Sequence, residues 1–154
     1  MSESTMTGPV LLEPARTPWH VWVAGAVALC WNAVGAFDYV MTQTRNEAYM
    51  AAFTPEQLEY FYGFPAWVVA TWAIAVWSGV LGSVLLLLRR RFAVPVFLAS
   101  LVAMVLTTIH NYLLSNGLAI FADTGSRIFT GIIFVVAVAL YLYSRSLEKR
   151  GVLH

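Results

Sequence analysis

The sequence predicts an all-α membrane protein, a four-transmembrane-helix bundle with a short amphipathic helix in the outer loop between spans one and two. Three observations carry this expectation. Of the 154 residues, 60% are apolar and only 11% are charged, whereas soluble domains carry roughly 25% charged residues. The mean hydropathy is +0.72. The apolar residues gather into four runs, near 19–41, 65–88, 92–114 and 128–143, and a bilayer core takes about 20 helical residues, within a range of about 17 to 25.

The segment 1–17, MSESTMTGPVLLEPART, reads as a disordered cytoplasmic tail rich in Ser, Thr, Pro and Glu. It carries Glu3, Glu13 and Arg16 rather than the basic n-region of a signal peptide. The next run, 19–41, is therefore expected as a retained span. Its single cysteine, Cys30, offers no partner for an intrachain disulfide, and is expected as a buried small hydrophobe. Span two, 65–88, contains no charged residue, and a soluble helix of that length would show a charged face. Span three covers 92–114. The fourth run reaches spanning length if its helix occupies 126–144, which leaves 146–154 as a second cytoplasmic tail.

Between spans one and two, residues 42–64 read TQTRNEAYMAAFTPEQLEYFYGF, too polar to cross a membrane. Thr54-Pro55-Glu56-Gln57 is a helix start. Thr54 is a good N-cap, Pro55 suits the first helical position and Gln57 completes a T-x-x-Q capping box. The helix is expected from Pro55 to about Tyr62, ended by Gly63 and by the bias against helix before Pro65. Tyr60, Phe61 and Tyr62 suit the interface, as an anchor or as a lid over a pocket.

Charge sets the orientation. With four spans, Arg16, Arg89, Arg90, Arg91, Arg145, Lys149 and Arg150 share one side, and Arg45 and Arg127 the other. The positive-inside rule then places both termini in the cytoplasm. The three consecutive arginines read first as a tight turn and topology anchor, and secondly as a site for anionic headgroups. The basic residues flank apolar runs instead of forming a stripe, which argues against nucleic acid as a partner.

Helical spacing shows which polar residues share a face. Gly25, Ala28, Asn32 and Tyr39 lie on one side of span one, with Gln43 continuing it. Thr71, Ala75, Ser78 and Gly82 form a stripe on span two, with Gly79 and Ser83 beside it. Ser100, Thr107 and Asn111 line up on span three. Small and hydrogen-bonding residues at such spacing are the seams of packed membrane helices. Asp38, the one acid within a span, and His110 both fall about one turn below the outer surface, and Arg127 opens span four on that side. Ionisable residues within spans face the bundle and mark either a structural pair or a functional site. The candidate ligand-binding set is thus Asp38, Tyr39, Asn32, Gln43, His110, Asn111 and Arg127. His20 lies at the opposite face, so it cannot join His110 as a haem ligand. No catalytic residue, metal site or cofactor is expected. Ser115 is at the level of His110, but nothing aligns it for hydrolysis.

Asn32, Gly35, Asp38-Tyr39, Thr42-Gln43 and the TPEQ…YFYGFPAW segment resemble a family of small four-span bacterial membrane proteins loosely labelled "sugar transporter". The resemblance covers residues 31–117. It implies an inner-membrane protein and carries over neither a substrate nor a functional residue. The expectation is small-solute binding or transport through an outer-leaflet polar pocket, as an oligomer meeting at the span-two stripes. The alternative is a non-catalytic accessory subunit, and the weakest reading is an enzyme or quinone-reactive subunit using Asp38 and His110. The partners expected are membrane lipid, a small solute and further copies of the chain.

Overall fold

Proline punctuates the beginnings of three long helices. Pro18 and Pro65 directly precede α1 (Trp19–Gln43) and α4 (Ala66–Leu87), and Pro95 lies in the first turn of α5 (Ala93–Ile109), where no intrahelical partner awaits its missing N–H. The computed structural model describes residues 16–154, so the expected tail 1–17 lies outside the described residues except at its last two positions. Between the first two long helices come α2 (Glu47–Met50) and α3 (Pro55–Tyr62). Helix α5 continues as a π-helical turn, His110–Leu114; α6 (Gly117–Ile120) and α7 (Thr124–Lys149) complete the chain.

The fold is the four-helix membrane bundle that the sequence predicts. Four helices are long and apolar enough to cross a membrane: Trp19–Gln43, Ala66–Leu87, Ala93–Leu114 and Thr124–Lys149. They alternate in direction. Helix α4 packs between α1 and α5, and α5 packs on α7. Trp31 meets Phe129 at 6.4 Å between ring centroids, and His20 Nδ1 lies 2.6 Å from the Tyr143 hydroxyl, so α7 returns alongside α1. Helices α1 and α5 are thus diagonal, with α4 between them.

The small-residue stripes are seams inside the chain. Thr107 donates to the Thr71 hydroxyl at 3.0 Å, and Ser100 donates to the Ala75 carbonyl at 2.6 Å, joining α5 to α4. The neighbouring stripe faces α1, where Asn32 donates to the Ser83 hydroxyl at 3.2 Å and to the Ala28 carbonyl at 2.8 Å. A side chain at Gly79 would collide with the Asn32 amide, so glycine is what lets α1 and α4 approach. The expected use of these stripes between copies of the chain is therefore corrected: both are filled by neighbouring helices of one chain.

Buried apolar residues concentrate at the end that carries the arginines. Val21, Leu86, Ala93, Phe97 and Leu147 meet there with Val152 and Leu153. The expected tail 146–154 is instead helical to Lys149, and its last residues dock. His154 N–H donates to the Arg89 carbonyl at 2.9 Å, and Arg91 N–H donates to the His154 carbonyl at 3.2 Å. The Arg89 guanidinium donates to the Thr17 hydroxyl at 2.7 Å, gathering both ends of the described chain on the α4–α5 turn. Elsewhere the outward faces are apolar: Val27, Val34, Ile74, Leu81, Val102, Leu106, Val135 and Leu142 are exposed. Water would penalise so continuous an apolar surface, whereas lipid solvates it. Cys30 belongs to that surface; it is exposed, because α1 turns the face carrying Ala26, Cys30 and Val34 away from its neighbours.

Candidate functional site

The chemistry gathers at the opposite end, where α2, α3, the π turn and α6 meet. Helix α3 starts as its sequence dictates. Thr54 Oγ1 accepts from Gln57 N–H at 3.3 Å, the Gln57 side chain accepts from Thr54 N–H at 3.1 Å, and Gly63 is the C-cap. Helix α2 has its own cap, since Asn46 Oδ1 accepts from Tyr49 N–H at 3.0 Å. Beside that cap, Arg45 places its guanidinium 4.3 Å from the centre of the Tyr62 ring, a cation–π contact.

Aromatic rings roof this end, mostly through edge-on contacts. Phe53 meets Phe61 at 5.5 Å between centroids, Phe61 meets Phe121 at 5.6 Å, and Tyr60 meets Phe64 at 5.0 Å and Phe121 at 5.8 Å. Edge-on contacts put the positive edge of one ring near the negative face of another.

The structure separates Asp38 from His110. Asp38 is half-buried, and its carboxylate accepts from the Tyr49 hydroxyl at 2.7 Å, which ties the end of α1 to α2. Burial is the chief cause that pushes the Tyr49 phenol up to about 12, and the Asp38 hydrogen bond and negative charge add to it. His110 instead sits among rings, 5.7 Å from Phe64 and 5.4 Å from Trp67 between centroids. The two lie at the same end of the bundle, but α1 and α5 are diagonal, and each finds partners on the segments nearest to it.

The other candidates divide in the same way. Tyr39 lies edge-on to Trp72 at 5.1 Å, and Asn32 belongs to the α1–α4 seam. Gln43 and Arg127 are exposed. Arg127 follows the α7 N-cap, where Asp123 accepts from Ser126 N–H at 2.7 Å. That bond, foremost, holds the Asp123 carboxyl below the usual range, with the nearby Arg127 charge contributing less. Of the expected set, only His110 and Asn111 come together, joined at 3.3 Å from His110 Nδ1 to Asn111 Oδ1.

His110 also lines a cavity that the sequence alone does not delineate, and Asn111 bonds to residues of its wall. A space of about 510 Å³ opens between α3, the start of α4, the π turn and α6. Phe64 and Ile120 supply apolar wall, and Glu56, Glu59, Tyr60, His110, Ser115 and Asn116 the polar wall. The Tyr60 hydroxyl lies 3.1 Å from Asn111 Oδ1 and 2.8 Å from Ser115 Oγ, while Ser115 donates to the Asn111 carbonyl at 3.1 Å. Burial raises the Tyr60 phenol above its ordinary value, against the opposing effect of the Ser115 bond, so Tyr60 stays a donor. Gly117 closes the corner: a side chain there would strike the Asn111 carbonyl and lie 2.6 Å from the Tyr60 hydroxyl.

The π turn explains why the sequence puts Ser115 at the level of His110 without aligning it to this wall. Face counting at 100° per residue fails where a helix widens to i→i+5 pairing, and Ser115 lies just beyond such a turn. The aromatic interface of α3 is the one signal in the sequence that points to Tyr60. Among the described residues, no cluster of His, Cys, Asp or Glu could hold a metal ion. No protein-family model, curated protein or solved structure matches the chain.

Proposed function

We propose that this protein is a multi-pass protein of the bacterial inner membrane, with cytoplasmic termini, that binds a small solute in the cavity beneath α3. The observation that carries this reading is the cavity itself. At about 510 Å³ it has the size of a ligand site, and its wall mixes aromatic rings with a few convergent polar groups. The orientation rests on the charge asymmetry: seven of the nine Lys and Arg residues lie at the end away from the cavity. The cavity would then open at the outer interface. A sugar is the solute named in the loose label of the family that the chain resembles. One chain suffices to form this binding site; a transport path would run between copies of the chain, since the interior of each bundle is filled by its own seams.

The alternative is a non-catalytic accessory subunit. It is favoured by one observation, that Asn32, Ser100 and Thr107 spend their hydrogen bonds between helices. A thermal-shift screen of small polar compounds separates the two readings, run on the purified wild-type protein and on Ser115→Trp, which fills the cavity. Solute binding requires compounds that raise the melting temperature of the wild type and leave Ser115→Trp unmoved. If no compound distinguishes the two proteins, the accessory reading stands.

A further inference from the structure

The hydrogen-bond directions in the cavity wall select one chemical class of solute. Asn111 Oδ1 can only accept, so the proton of His110 facing it is on Nδ1, and a neutral imidazole then carries a lone pair on Nε2. His110 is only 8% exposed, yet it lines the cavity, and among the described residues Nε2 has no hydrogen-bond partner. Among those residues no fully buried side-chain nitrogen or oxygen lacks a partner, so Nε2 keeps access to open space. The hydroxyl protons beside it are committed elsewhere. Ser115 gives its proton to the Asn111 carbonyl, and the single proton of Tyr60 goes to one of its two neighbouring acceptors, Asn111 Oδ1 or Ser115 Oγ. The mouth adds the carboxylates of Glu56 and Glu59, which accept and carry negative charge. The rings of Tyr60 and Phe64 complete the wall, and aromatic faces attract cations.

From this we infer that the cavity takes a small protonated amine, held by N–H donation to His110 Nε2 and by the Glu56 and Glu59 carboxylates, with its charge against the Tyr60 and Phe64 rings. The inference rests on the solute-binding reading above and narrows it. A sugar fits the wall less well. Each sugar hydroxyl both donates and accepts, and with the hydroxyl protons used the Asn116 amide is the one remaining side-chain donor of this wall. An anion would meet two carboxylates.

The test is a thermal-shift titration of the full chain in detergent with four probes: propylammonium, choline, glucose and propionate. Propylammonium is expected to stabilise saturably, and choline, which has the charge but no N–H, more weakly. Glucose and propionate should leave the melting temperature in place. Glu56→Gln combined with Glu59→Gln, both at exposed positions, should leave the unliganded melting temperature unchanged and weaken propylammonium by about tenfold, through loss of charge-assisted bonds. Glu59→Gln alone serves if the double variant fails to fold. Choline binding as tightly as propylammonium overturns recognition through N–H groups. Glucose stabilising the wild type but not Ser115→Trp, with propylammonium inert, overturns the amine and leaves solute binding intact. Propylammonium acting equally on Ser115→Trp places it outside the cavity and overturns the inference. If neither these probes nor any compound of the screen acts, the amine inference and the solute-binding reading fall together.

Discussion

The two ends of the bundle are built by different means. At the arginine end, aliphatic and aromatic side chains from α1, α4, α5, α7 and the last residues interlock, and Leu86 and Val21 have no exposure at all. At the α3 end no residue of α3 is buried. Rings there touch mostly by their edges, at centroid distances near 5.0–6.0 Å, and a cavity remains below them. Close aliphatic packing leaves no voids, whereas edge-on rings hold a scaffold together around open space. The contrast sets a close-packed end against an open one.

Truncation is the most direct way to break that comparison. Leu86→Ala should cost about 2–5 kcal/mol, the range for emptying a close-packed site. Ile120→Ala, which removes wall from an already open cavity, should cost less than half as much. Chemical unfolding in detergent measures both, and equal losses would mean that the two ends are packed alike. A smaller effect is expected at the cap of α3. Thr54→Ala removes the capping-box acceptor, and about 1 kcal/mol of local helix stability is the usual cost. Hydrogen exchange should show α3 fraying while the amides of α4 keep their protection. Uniform loss across both would show that the roof is no separate unit.

The smallest effect concerns pH. The Tyr49 phenol is raised from 10.0 to about 12 in the folded protein. A raised value means that the unfolded chain releases this proton first. The stabilisation is therefore fully present below pH 10 and is lost as pH rises from there through about 12. Tyr49 is only partly buried, so the effect is screened and modest. Alkaline melting curves should fall less steeply for Tyr49→Phe than for the wild type within that window. Identical curves would remove the Asp38–Tyr49 bond as a tie between α1 and α2.

How much of the molecule is legible in the sequence depends on which forces act locally. The spans 19–41 and 65–88 match α1 and α4 within two residues at each boundary, because hydropathy and flanking charge are local properties. The α3 bounds are likewise readable, since Thr54, Pro55, Gln57 and Gly63 each act within one turn. The end of the bundle is legible too, since Asp38 meets α2 and His110 packs against Phe64, just after α3. Their directions around the bundle axis are not, because these depend on which helix comes to stand between α1 and α5. The docking of Val152 and Leu153 escapes for a related reason: a short apolar pair gives no periodic signal. Nor does any local feature reveal that Tyr49 takes the Asp38 carboxylate.

The π turn at His110–Leu114 has a further consequence, which concerns chain length rather than side-chain identity. A π turn in a helix amounts to one supernumerary residue. Dropping a residue that contacts little, such as the exposed Leu113, would restore ordinary pitch while the residues beyond keep their places, because the wide turn is what absorbs the extra residue. Ser115 and Asn116 would then stay in the cavity wall under shifted numbers. In this molecule, relatives that differ by a single gap at the turn would be expected to keep the same cavity wall.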